Sequence, residues 1–305
     1  MKQIKGIKLN KNMKVNELVK GMEAVGFQAT QLSKAVKLIE KMKKDKAVIF
    51  LSFTSNMVSS GLREMIAQLV KNKFIDVIIT SVGSIEEDLI KTEKPFLLGS
   101  FDANDKELDK KGINRIGNIF VPDDRYTFLE DKLTPFFERL YKKQKENKKL
   151  ISPEELIFEL GKEVKDKNSI LYWATKNKIP IFCPGITDGA LGLQIYFFKQ
   201  KFPNFGIDVT ADMKNLSRKV LEADKTGAII LGGGIAKHHT IGVNILRNGL
   251  NYAVYISTGT EYDGSLSGAR PKEAVSWSKI NKEGNYVFVN GDATIIFSLI
   301  ISCFL

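Results

Sequence analysis

The sequence predicts an α/β fold, a doubly wound and mostly parallel sheet with helices on both faces. Short, nearly continuous apolar runs recur along the chain, as expected of strands buried on both sides. Helical stretches separate most of these runs, which is the pattern of βαβ units. Hydrophobic residues fill 43% of the 305 positions, enough for a substantial core.

Residues 14–44 read as helical, in VNELVKGMEAVGF and QLSKAVKLIEKMKK, where apolar side chains recur at helical spacing. AVIFLSF (47–53) is the first expected strand, followed by TSNMVSSG and a helical LREMIAQLVKN. FIDVIIT (74–80) is the second, followed by SVGS and a helical IEEDLIK. Residues 101–150 are less regular, with a turn at VPDDR and a charged helix, and read as an excursion over the sheet. Further strands are expected at IPIFC (179–183), GAIILG (227–232), YAVYIS (252–257) and YVFVN (286–290). The final ATIIFSLIISCFL is too short to span a bilayer and reads as a buried last element. The expected organisation is a helical arm over 1–45 and one catalytic α/β domain over 46–305.

The net charge of +11 comes largely from lysines, clustered in KMKKDK (41–46) and KKQKENKK (142–149). Neither cluster is interleaved with aromatics or resembles a nucleic-acid fold motif, so both read as solvated surface. No nucleic-acid or membrane partner is expected. The start, MKQIKGIKLNKNMK, has no apolar signal core. Cys183 and Cys303 make no disulfide framework, so a reducing cytoplasm is the expected setting. Against the basic background, acids gather in the motifs: Glu86, Glu87, Asp88, Asp188, Glu261, Asp263, Glu273 and Asp292. That arrangement suits a small cation.

Small-residue turns fall at nearly every strand end: TSN (54–56), SVGS (81–84), TDG (187–189), GGG (232–234), STGT (257–260) and GDA (291–293). In such a sheet ligands bind where strands give way to loops, and small residues let backbone approach a phosphate. One such turn is ordinarily structural, but six together suggest a dinucleotide, with Asp188 or Asp292 on ribose hydroxyls. The usual GxGxxG fingerprint is absent. The chemistry centres on Lys279, in EAVSWSKI, with Trp277 two positions before it. A lysine is nucleophilic only when neutral, and an apolar wall in a desolvated site favours that form. His238 and His239 are the only histidines and can move protons near neutral pH. Being adjacent on a helix, at most one faces the site. No Cys or Asp completes a metal set around them, so no metal is assigned.

From GMEAVGFQAT almost to the C-terminus the chain resembles the deoxyhypusine synthase family. FTSNMVSSGLRE, DVIITSVGSIEEDLIK, NRIGNIFVPDDRY, GAIILGGGIAKHH, RNGLNYAVYISTGTEYDGSLSGARPKEAVSWSKI and GDATIIF carry the resemblance, in order. It implies a Rossmann-like α/β subunit, a homotetramer with active sites between paired subunits, and bound NAD. It also implies transfer of the 4-aminobutyl group of spermidine, through an imine on Lys279, to one lysine of the hypusine-bearing translation factor. By the same resemblance His238 is the active-site histidine. Glu86, Glu87, Glu273 and Trp277 line the polyamine pocket, and Gly264 and Ser265 form the loop closing it. Ser55, Asn56 and Ser59 make the first dinucleotide-contact loop, and Ser81, Val82 and Gly83 the second. Asp188, Gly233, Thr258, Gly259, Asp292 and Ala293 are further contacts, with Asp263 beside them.

The sequence departs from the family pattern at three places. Leu193 stands where GxLGD puts an aspartate, Leu266 where GSDSG puts another, and Ser278 replaces the glycine before the lysine. Glu86, Glu87, Glu273 or a more distant acid is expected to replace the lost carboxylates, or else the amine specificity differs. The alternatives are a homospermidine synthase-like enzyme acting on putrescine and an inactive NAD-binding paralogue serving as a structural subunit.

Overall fold

The computed structural model describes residues 3–305. Its strands, in chain order, are β1 (Val48–Phe53), β2 (Val77–Thr80), β3 (Leu97–Leu98), β4 (Ile113–Ile116), β5 (Ile119–Pro122), β6 (Ile181–Phe182), β7 (Thr226–Leu231), β8 (Leu250–Ser257) and β9 (Ile280–Asn290). The chain forms two compact units. The first holds residues up to 53 with 74–79 and 215–305, and the second holds 54–73 and 80–214.

The first unit carries the mostly parallel sheet, with its strands in the order β2-β1-β7-β8-β9. β7 is buried at every position, as its apolar TGAIIL requires. It pairs in parallel with β1 (Val48 opposite Thr226) and with β8 (Leu231 opposite Ile256). β8 in turn pairs in parallel with β9, Ser257 opposite Asn290. The helix Phe27–Lys44 buries Leu32, Val36, Ile39 and Met42, one helical stripe, against β8 and β9. A Cβ on Gly227 would lie 2.9 Å from the Met42 sulfur, so the small residue in β7 lets this helix sit close. The last helix, Ala293–Ile301, buries Phe297, Ile300 and Ile301. Among the described residues no helix is long and apolar enough to cross a membrane.

The second unit is mainly helical. The irregular region expected over 101–150 holds β4, β5 and the long helix Asp124–Asn147, and β3 just before it completes a small antiparallel sheet in the order β3-β5-β4. Several strands differ in length from the sequence expectation: β2 is confined to Val77–Thr80, and β8 starts at Leu250. β6 keeps only two residues of IPIFC, while β9 starts at Ile280 rather than near Tyr286, with a register shift opposite Leu250 and Tyr252. Cys183 is buried and its thiol is pushed up to about 12, so it is inert.

One buried ion pair ties three helices of this unit together. Arg63, on Leu62–Lys71, donates to Asp88 Oδ1 at 2.6 Å and to Asp166 at 2.8 Å. Asp88, on Val82–Ile90, also accepts from Ser169 Oγ (2.7 Å) and from the Leu171 N–H (2.8 Å), capping the helix Ile170–Asn177. Asp88→Ala removes the buried carboxylate from the Arg63 guanidinium, leaving it Asp166, and opens a helix start. It should cost about 3 kcal/mol, read as a lower urea midpoint at unchanged slope.

Candidate active site

The structure brings Lys279 and His238 together. His238 lies on the helix Gly234–Val243, which leaves the end of β7, and Lys279 lies between the helix Pro271–Ser276 and β9. Lys279 Nζ is 3.3 Å from His238 Nε2 and 5.2 Å from the centre of the Trp277 ring. Its own backbone is fixed from both ends: the N–H donates to Ala274 O (2.9 Å), and the carbonyl accepts from Leu250 N (3.1 Å). The histidine pair divides as adjacent helical residues must. His238 is exposed and meets the lysine, whereas His239 is half-buried and burial lowers its pKa.

Glycines permit this arrangement. Gly232 and Gly234 have φ of +79° and +65°, where L side chains are strained. A Cβ on Gly233 would lie 2.4 Å from the Ser267 Cα, so only glycine lets the 264–270 segment lie against the start of the helix. Gly264 and Ser265 sit in an exposed turn closed by Asp263, whose Oδ1 accepts from the Ser265 N–H at 2.7 Å. That bond lowers the Asp263 pKa.

A narrow cleft of about 30 Å³ adjoins the pair, with Lys237, Tyr255, Leu266, Glu273, Trp277 and Lys279 in its wall. Trp277 is 65% exposed, so in one chain the indole still faces water on one side. Lys237 is almost wholly buried, and burial pushes its ammonium down to about 8 while the Glu273 carboxylate opposes that shift. Two polar atoms of this wall, Tyr255 Oη and Arg270 Nη1, are buried without a hydrogen-bond partner. Buried polar groups are normally paired, so the cleft is built with bonding capacity that a ligand can use.

The second unit gathers another set of the expected residues. The Ser55 N–H donates to Ser81 Oγ (3.1 Å), and a Cβ on Gly83 would lie 2.7 Å from the Ser55 Cβ, so the two small-residue loops touch. Asn56 begins the short helix Asn56–Ser59, and Val82 begins the helix Val82–Ile90. Glu86 accepts from the Leu191 N–H at 2.8 Å, and Glu87 accepts from Ser59 Oγ at 2.5 Å. Burial raises both carboxyls, Glu87 to about 8, with the Glu86 charge adding to the effect on Glu87. At neutral pH Glu87 therefore carries a proton. Asp188 is exposed close by, and its charge raises Glu86.

A third set lies at the ends of β7, β8 and β9. Gly233, Thr258, Gly259, Asp292 and Ala293 follow these strands, and the Gly291 N–H donates to Ser257 O at 3.2 Å. Asp292 caps the helix Ala293–Ile301 through Thr294 N at 2.9 Å. Of the acids thought to gather for a cation, Asp88 is held by Arg63 and Glu261 by Arg270 at 2.6 Å, while Glu273 lines the cleft.

Residues 17–304 match the family model described as deoxyhypusine synthase. The chain belongs to the deoxyhypusine synthase family. It is 47% identical to a Methanocaldococcus jannaschii protein named probable deoxyhypusine synthase, over 98% of this chain and 96% of that one. It is 40% identical to the deoxyhypusine synthase of Candida glabrata, over 98% of this chain and 90% of that one. The crystal structure of an Entamoeba histolytica protein bearing the family name matches with a TM-score of 0.70 at 26% identity, covering 98% of this chain and 96% of that one. A chain of AgrE, solved with ornithine and NAD+, shares the fold alone (TM-score 0.55, 12% identity, 90% of this chain and 32% of that one).

The family's usual glycine before the lysine has a physical reason here, because Ser278 has φ of +54°, in the left-handed region. Leu266 lines the cleft where the family pattern has an acid, and Leu193 is exposed on the helix Ala190–Lys201. Sequence reasoning passed over Lys237, Tyr255 and Arg270. The one signal for Lys237 was its place beside His238 in GGGIAKHH.

Replacing Ser278 by glycine should stabilise the fold by about 1 kcal/mol, seen as a higher melting temperature. Glu87 gives a pH test. Its folded pKa of about 8 lies above the 4.5 of a free carboxyl, so its contribution is whole below pH 4.5 and lost as pH rises through 8. Stability should fall by about 1.4 kcal/mol per pH unit in that window from this group. Denaturation of Glu87→Gln between pH 5 and 9 should show a flatter profile.

Proposed function

We propose that this chain is a deoxyhypusine synthase that moves the 4-aminobutyl group of spermidine, through an imine on Lys279, to one lysine of the hypusine-bearing translation factor. The 3.3 Å approach of Lys279 Nζ to His238 Nε2 carries this reading. The imidazole takes a proton from the Lys279 ammonium and leaves the lone pair that attack requires. Nζ then adds to the imine carbon of the oxidised amine. The bond from that carbon to the departing nitrogen breaks, His238 returns the proton to it, and 1,3-diaminopropane leaves. The four-carbon unit stays on Lys279 as an imine until the acceptor lysine displaces it by the same exchange. Glu273 offsets ammonium charge in the cleft, and the Trp277 face adds about 0.5–2 kcal/mol of cation–π attraction.

NAD fits the residues present. A Cβ on Gly259 would lie 2.9 Å from the Ser267 carbonyl carbon, so the turn after β8 keeps its close-packed shape only with glycine. The helix starting at Ala293 presents N–H groups suited to phosphate. Gly233, Thr258, Asp263 and Asp292, at the strand ends of the first unit, would hold it. When bound, NAD supplies the acceptor for the hydride of the first step and the donor for the last reduction. We take the working form to be a cytoplasmic homotetramer with sites between paired subunits. Leu266 in the cleft wall favours one second reading, an inactive NAD-binding paralogue serving as a structural subunit.

Mass spectrometry of the translation factor after incubation with the protein, NAD and spermidine tests the proposal. Lys279→Arg should lower transfer by about a thousandfold or more and abolish borohydride trapping, while NAD binding persists. Trapping that leaves Lys279 unmodified while transfer continues would refute it.

A further inference from the structure

Residues 258–270 run from β8 to the helix Pro271–Ser276 without regular secondary structure, yet they supply Leu266, Ala269 and Arg270 to the cleft wall. Backbone of this kind needs outside ties to hold one shape. Two are already visible: the close approach of Ser267 to Gly233, and Ser257 Oγ donating to Ser267 O at 3.0 Å. The strongest comes from Lys237. Its ammonium donates to Leu266 O at 2.7 Å and to Ala269 O at 2.8 Å, and it lies 4.5 Å from the centre of the Tyr255 ring.

The side chain is 2% exposed. A buried cation is costly, and an apolar residue of similar volume would pack on Tyr255 at least as well. The charge adds what a methyl group could not, a grip on two carbonyls three residues apart. Tyr255 faces it from β8, and the charges of Glu273 and Arg270 act on it from the helix Pro271–Ser276 and its N-terminal cap. His238, the next residue along, meets Lys279. The same turn of helix thus holds the proton carrier and the tie on the opposite wall.

We propose that Lys237 is a positioning residue, whose two carbonyl bonds hold the 264–270 segment so that the cleft keeps the shape that receives the amine. It touches no reacting atom in this scheme, which rests on the function proposed above.

Amide hydrogen exchange tests the tie without any catalysis. Lys237→Met keeps the length and the apolar stem and removes both bonds, and exchange in 264–270 should quicken about tenfold or more. The same variant should raise the KM for spermidine about tenfold, with kcat within a few-fold and NAD affinity unchanged. Lys237→Gln, which can still donate to one carbonyl, should fall between. Unchanged exchange in 264–270 overturns the proposal. So does a KM equal to that of the unaltered protein, or a parallel loss of amine affinity, NAD affinity and melting temperature. Should Lys237→Met not fold, Lys237→Gln decides on the same readings. If the unaltered protein transfers nothing, the proposed function falls while the exchange measurement still judges the tie.

Discussion

Because β7, β8 and β9 pair in parallel, with Leu231 level with Ile256 and Ser257 level with Asn290, the chain must leave all three strands at one edge of the sheet. Each exit is a small-residue turn, and each leads into an element that bears assigned residues. The same registration brings together residues far apart in sequence. The helix leaving β7 carries His238 back along the sheet, and the chain entering β9 delivers Lys279 beside it. The lysine is therefore set apart from the glycine turns. It precedes its strand, and its carbonyl is already bonded to the start of β8.

Electrostatics divides the expected acids by task. The carboxylates counted together in the sequence have different partners in the fold. Asp88 is committed to a guanidinium and a helix start, Glu86 to a backbone N–H, and Asp292 to a cap. Glu273 is the carboxylate in the cleft wall, opposite Lys237, Arg270 and Lys279. Leu266 stands in that same wall where the family pattern has an acid, which makes it the departure with the most chemical weight.

Much of this was legible beforehand because apolar periodicity reports on burial. The β1, β2, β7 and β8 runs were plain in the sequence, and so was the stripe of the helix Phe27–Lys44. Helix geometry allowed at most one histidine to face the site, and the family pattern alone pointed to His238. The missed residues share a cause. Lys237 looks like any surface lysine until the fold buries it, and Tyr255 sits in an almost continuously buried strand like any core aromatic. Their roles depend on where residues 264–270 fold back, and no local signal encodes that. The early start of β9 was hidden for a similar reason, since NKEG is polar and joins the sheet through its neighbours.

The proton on Glu87 has a consequence beyond the fold. A neutral acid bonded to Ser59 is a store of one hydrogen ion at physiological pH. A cation that pairs with the ionised form of this carboxyl releases that ion into the buffer. Apparent affinity for such a guest then grows up to tenfold for each unit of alkalinity until the acid ionises by itself. Calorimetry would register the release as a binding heat that varies with the buffer chosen.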